Sequence, residues 1–192
     1  MRTSAKERKT KETNITVSLD LDGAGKADID TGVGFFDHML TALAVHSRFD
    51  LTVKCAGDLG VDAHHSVEDV GIVLGQAFSE AIGDKKGIAR YGSFTIPMDE
   101  ALVSCHLDVG GRICAVIDAP FTADRVGELD TQMINEFFVA FANNANVTLH
   151  MIVHYGENDH HKAEAMFKAF AHAVRAAVSR DGADLLTTKG AL

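Results

Sequence analysis

Sulfur, proline and positive charge are all scarce in this chain. The three cysteines, Cys55, Cys105 and Cys114, show no Cys-x-x-Cys spacing and leave an odd one over, which argues against a disulfide framework and against a thiolate zinc site. They read as core thiols in a reducing compartment. Only two prolines occur in 192 residues and no Pro/Ser-rich stretch interrupts them, so a single compact unit is expected rather than domains on a linker. Lysine and arginine total 18 against 27 aspartates and glutamates, a formal charge of −9, and that deficit disfavours nucleic acid as a partner. No apolar run approaches the roughly 20 residues of a membrane span. The opening MRTSAKERKTKETN is basic but lacks the apolar segment of a secretory signal. A cytoplasmic protein without membrane contact is expected, and 46% hydrophobic residues are enough to bury a real core at this length.

What the chain does have is a repeated motif. HHSVED begins at His64 and HHKAEA at His160, each a histidine pair followed by a glutamate. Neutral imidazole and carboxylate are metal ligands, so two such sets imply a duplicated dimetal centre. Neighbouring side chains on a helix point about 100° apart, so His64 and His65 should serve different ions. Residues four apart share a helix face, which makes His64 with Glu68, and His160 with Glu164, the natural clips. His65 and His161 are left to cross over and complete the other clip's ion.

The surrounding pattern is duplicated too. Ile15, Val17, Leu19 and Leu21, and later Val147, Leu149, Met151 and Val153, alternate with the period of half-buried strands. Val70, Val73, Ala77 and Ala81, and later Phe167, Phe170, Val174 and Ala177, follow helical spacing. Each half reads strand, strand, helix, strand, helix: an α+β fold made of two β-β-α-β-α repeats, 1–90 and 91–192, each an antiparallel sheet covered on one face by two helices. Superposing the halves sets His38 opposite Glu136 on the earlier helix of each. The symmetric assignment gives one ion His38, His65, His160 and Glu164, and the other His64, Glu68, Glu136 and His161. Four protein ligands around an ion that prefers six leave room for substrate. Manganese, iron and zinc all suit these donors.

TKET from Thr10, LDGAG from Leu21, TGVGFFDHML from Thr31, DAHHSVEDVGIVLGQA from Asp62, KGIARYG from Lys86, MDEA from Met98, ENDHHKAEAMFKAFAHAVRAA from Glu157 and TTKG from Thr187 resemble the imidazoleglycerol-phosphate dehydratase family. These motifs run from about residue 8 to the C-terminus in the family's order. The resemblance implies a ribosomal protein S5 domain 2-like fold and a lyase with two manganese ions per active site. It also implies conversion of imidazole glycerol phosphate to imidazole acetol phosphate and water, in an assembly of 24 copies with sites at subunit interfaces. Glu12, His65, His161 and Glu164 are implied at the reacting centre, with substrate contacts from His38, His46, His64 and Glu68. Arg90, Arg112, Thr187 and Lys189 match its phosphate contacts, where arginine offers a planar fork and lysine a point charge. Some relatives carry histidine where this chain has Glu136, so the ligand set here is harder.

Other residues read more plainly. His106, His150 and His172 are expected to be structural imidazoles. Asp37, Asp69 and Asp159 are candidates to orient the ligand histidines. The two clips are expected at opposite ends of the repeat unit, too far apart to share ions within one chain, so neighbouring copies should supply the crossing histidines. Two rival readings stand beside the lyase. One is a dimetal hydrolase acting on a phosphorylated small molecule, although no HExxH motif is present. The other is a metal store, which would have no use for Glu12 and the basic residues.

Overall fold

The structure, a computed structural model, describes residues 2–190. In the first half β1 (Thr3–Lys9), β2 (Thr13–Asp20) and β3 (Ala27–Asp30) lead to α1 (Gly34–Ser47), β4 (Asp50–Gly57) and α2 (His64–Ile82). The second half repeats that order with β5 (Tyr91–Met98), β6 (Ala101–Asp108), β7 (Cys114–Asp118), the short pair β8 (Arg125–Val126) and β9 (Leu129–Asp130), then α3 (Gln132–Ala145), β10 (Thr148–Tyr155) and α4 (Asp159–Val178). The α+β duplication is therefore present, with one more strand in each main sheet than the periodicity gave, and the small β8–β9 pair added in the second half. The strand orders are β1-β2-β4-β3 and β5-β6-β10-β7, the same topology twice. The extra strands β3 and β7 are short edge strands lying parallel to β4 and β10, so each sheet is antiparallel with one parallel edge. Their short ADID and CAVID sequences give too few alternations to register as strands on their own.

Burial follows the pattern that forms the elements. In β2, Ile15, Val17 and Leu19 point inward while Asn14, Thr16 and Ser18 face out, and β10 buries Leu149, Met151 and Val153. The helices occupy the space between the sheets: α2 lies on β1 and β2, α4 on β5 and β6, α2 packs along α3, and α1 along α4. One continuous apolar core joins both halves. Phenylalanines stitch it together, Phe36 against Phe137 at 5.4 Å, Phe78 against Phe141 at 5.3 Å and Phe137 against Phe167 at 5.2 Å between ring centres. Glycine lets α2 and α3 touch, since a Cβ on Gly71 would lie 2.8 Å from the Phe137 carbonyl and one on Gly75 2.7 Å from that of Phe141.

These contacts also fix helix direction. Phe35 and His46 of α1 meet His160 and His172 of α4; Gly71 and Gly75 meet Phe137 and Phe141; Phe137 and Phe141 meet Phe167 and Phe170. Sequence numbers rise together in every pair, so all four helices run the same way and their N-termini gather at one end of the molecule. The expectation that the two clips lie at opposite ends is corrected here: both lie at that shared end, on different helix pairs. No helix among the described residues is long and apolar enough to cross a membrane. Of the cysteines, Cys105 is buried and its thiol pKa is raised far above the usual range by burial, but Cys114 is exposed on β7 rather than in the core.

Candidate metal and substrate site

Three of the sequence-predicted ligands converge within this one chain. His38, in the first turns of α1, meets His160 and Glu164 at the start of α4: Glu164 Oε2 lies 3.2 Å from His160 Nε2 and 3.5 Å from His38 Nε2. Their donor atoms all fall within 4.8 Å of one another, and among the described residues no other three donors do so. Two imidazole nitrogens and a carboxylate oxygen at such separations suit a divalent transition metal. Phe35 packs edge-on against His160 at 5.0 Å. Asn158 caps α4, its side chain accepting from the amides of His160 and His161. Burial pushes the Glu164 carboxyl up, but the Lys168 ammonium 2.6 Å from Oε1 outweighs it and keeps the pKa below its ordinary value. Oε2 is thereby left facing the two imidazoles.

The first-half clip is looser. His64 Nε2 lies 3.6 Å from Glu68 Oε2, and the Glu68 side chain is 43% exposed against 12% for Glu164. Glu136, half-buried on α3, does not complete a three-donor cluster with them. Where Glu164 has Lys168 one turn on, Glu68 has Ile72.

His65 and His161 stand in neither cluster. In each pair the rings diverge, with centres 6.0 Å and 6.1 Å apart, as helical geometry requires. His65 Nδ1 meets Asp58 at 3.0 Å, and its Nε2 lies 3.8 Å from Glu12, an exposed residue in the turn between β1 and β2. His161 Nδ1 meets Glu100 at 2.6 Å, and its Nε2 lies 3.5 Å from Asp99. Asp58 raises the pKa of His65 and Glu100 that of His161. The Glu100 carboxyl in turn falls to about 2, mainly through the Asn158 amide and then His161. Four parallel helix N-termini bring partial positive charge to this end, and this concentration of carboxylates offsets it where cations would bind.

Sequence reasoning missed Asp58, Glu100 and Lys168. The aspartates it proposed instead do other work: Asp69 accepts from Thr13 and Arg8, Asp37 from Thr31, and Asp159 from Thr122, Ala123 and the Lys162 ammonium. His46 lies further along the α1–α4 groove, 5.5 Å from His172, which stacks on Phe94 at 4.5 Å. Burial lowers the pKa of His46, and Lys168 and His172 add to it. His106 bonds Ser93 and His154 bonds Ser104. His150, half-buried on β10, stands opposite His106 of β6 and Val116 of β7 in the sheet.

The basic residues gather elsewhere. Arg90, Arg112, Thr187 and Lys189 line one open cavity of about 660 Å³, with Gly110 between the arginines. Arg90 sits at φ +68, its guanidinium clamped by Asp108 at 2.7 and 3.0 Å and by the Leu186 carbonyl at 2.7 Å. It holds the C-terminal segment against β6 as much as it offers charge. Arg112 and Lys189 are exposed and pair with no carboxylate among the described residues. The Arg90 amide bonds the Ala177 carbonyl at the end of α4. At about 1.5 Å per residue, the cavity is therefore roughly 25 Å along that helix from His160.

A family model described as imidazoleglycerol-phosphate dehydratase matches residues 31–174. The chain is 55% identical to the imidazoleglycerol-phosphate dehydratase of Methanosarcina barkeri, covering all of both chains. It is 55% identical to that of Rhodopseudomonas palustris strain TIE-1, covering all of this chain and 99% of the relative. Two crystal structures of such dehydratases share the fold. That from Staphylococcus aureus has a TM-score of 0.85 at 39% identity over 93% of this chain and 99% of its own. That from Pyrococcus furiosus, in complex with (S)-C348, has a TM-score of 0.84 at 34% identity over 97% and 100%.

Proposed function

Since the chain belongs to the imidazoleglycerol-phosphate dehydratase family, hydro-lyases of histidine biosynthesis, we propose that it dehydrates D-erythro-imidazole glycerol phosphate to imidazole acetol phosphate with two manganese ions per active site. The observation that carries this reading is the His38–His160–Glu164 cluster. One ion takes His38, His65, His160 and Glu164; the other takes His64, Glu68, Glu136 and His161. When bound, the ions supply Lewis-acid stabilisation of the charge that develops as the substrate's C–H and C–O bonds break.

The remaining work falls to side chains. Glu12 holds a carboxyl group beside the leaving hydroxyl and moves a proton there. His46 contacts the substrate. Arg112, Thr187 and Lys189 take the phosphate, with Arg90 holding the cavity wall. The three-carbon chain between ring and phosphate cannot bridge roughly 25 Å, so the cavity of one copy must serve the metal end of another. The site is accordingly built between subunits, with halves 1–90 and 91–192 acting as one unit; the family resemblance implies that these subunits form a homo-oligomer of 24 copies, in the cytoplasm. His65 and His161, turned away from the cluster of their own chain, are the residues that cross between copies.

The test is an assay of purified, chelator-treated chain with imidazole glycerol phosphate. Ketone formation that appears on adding manganese supports the proposal. Release of free phosphate instead would make the protein a dimetal hydrolase, and turnover without metal would end the account.

A further inference from the structure

His65 and His161 share a feature that the two clips lack. Each presents its Nδ1 to a carboxylate from outside its own helix, Asp58 in the segment after β4 at 3.0 Å and Glu100 in the β5–β6 turn at 2.6 Å. The two carboxylates reach their histidines from non-equivalent loops of the repeat, yet grip the same nitrogen. Each Nε2 is left outside hydrogen-bond range of any carboxylate among the described residues, with Glu12 at 3.8 Å from one and Asp99 at 3.5 Å from the other.

A neutral imidazole carries one proton, and the nitrogen that lacks it is the metal ligand. A carboxylate at Nδ1 takes that proton in a hydrogen bond, fixes the ring's orientation and raises the basicity of Nε2. We propose that Asp58 and Glu100 are positioning residues that lock His65 and His161 as Nε2 ligands, so that each crossing histidine leaves its own chain already in metal-binding form. The inference rests on the reading of these two histidines as ligands. Glu100 has a second task, since its Oε1 accepts the amides of Glu157 and Asn158 at 3.1 and 2.7 Å and so braces the entry to α4. Asp58 makes no such backbone bonds, which makes it the cleaner position to test.

The experiment is titration of the full chain with Mn2+ alone, reading the dissociation constants of wild type, Asp58→Ala, His65→Ala and the double variant, with thermal melts of the metal-free proteins alongside. Asp58→Ala should weaken one of the two manganese ions by about 10–100-fold with the metal-free melt unchanged, and Asp58→Asn, which keeps an oxygen for Nδ1, should recover most of the loss. His65→Ala should weaken binding at least as much, and the double variant should bind no more weakly than His65→Ala. If His65→Ala weakens binding but Asp58→Ala does not, or if Asp58→Ala adds a further loss on top of His65→Ala, the positioning role is wrong while the ligand reading stands. Unchanged binding in His65→Ala would remove both.

Discussion

The two halves repeat one backbone and differ in how tightly each holds its clip. In the second half, Glu164 is half-buried, pinned by Lys168 and joined by His38 from the neighbouring helix, while Asn158 caps the helix that carries it. In the first half the Glu68 side chain is more open to solvent, has Ile72 where the lysine would stand, and faces a helix carrying Glu136 instead of a histidine; α2 has no side-chain cap on Ala63. The duplicated skeleton thus sets where ligands can be, and single residues at equivalent positions set how ready each site is. On the proposed manganese reading, one clip is assembled before metal arrives and the other needs the ion to draw it together.

The largest test of that difference lies in chemistry rather than in binding. Glu12→Gln in the first half should lower kcat by roughly 10²–10⁴ while manganese content, measured by elemental analysis, stays at the wild-type value. Next, the two clips should load unequally: Glu164→Gln should abolish the tighter manganese step and Glu68→Gln the weaker, each by more than the ~10–100-fold expected for a residue that only supports a ligand. Equal affinities in the wild-type protein would break the comparison. The cationic cavity, which draws its residues from the second half and the connecting segment, gives a contrast of its own. Arg112→Ala should raise KM about 10–100-fold by losing a charged hydrogen bond to phosphate, with the melting temperature unchanged. Arg90→Ala should also cost about 3 kcal/mol of stability, because Asp108 is left unpaired.

The smallest effect is acid sensitivity at the start of α4, which the start of α2 lacks. Burial pushes the Asp159 carboxyl up, but the Lys162 ammonium and the amides of Ala123 and Thr122 outweigh it and bring it from an ordinary 3.8 down to about 2. A depressed carboxylate stabilises the fold in full above its unfolded pKa and loses that stabilisation as pH falls through its folded one. Up to about 2 kcal/mol should therefore vanish between pH 4 and pH 2, and hydrogen exchange should show α4 opening before α2. The equivalent position in the first half is Ala63, which has nothing to lose.

The long-period features of this fold were legible in sequence because they repeat. Alternation in β2 and β10 and helical spacing in α2 and α4 located the core strands and helices, and the i,i+4 rule located both clips. The edge strands β3 and β7 were not legible, being too short for their period to show. Nor was the common direction of the four helices, which depends on tertiary contacts such as Gly75 against Phe141. Asp58 and Glu100 escaped because a histidine's Nδ1 partner comes from whichever loop passes its helix, and sequence neighbours such as Asp69 and Asp159 were nearer in number but turned to threonines and backbone amides. Arg90 was picked for its charge and its place in the KGIARYG motif, and neither signal carries its clamp on Asp108, which belongs to the fold.

The most direct measurement is anomalous diffraction at the manganese edge from manganese-loaded crystals of the assembled protein. The account predicts two neighbouring ions per site, one held by His38, His160 and Glu164 of one copy with a His65 from another, the second held by His64, Glu68 and Glu136 with a crossing His161. A single ion per site, or ions ringed by ligands from one copy only, would contradict it.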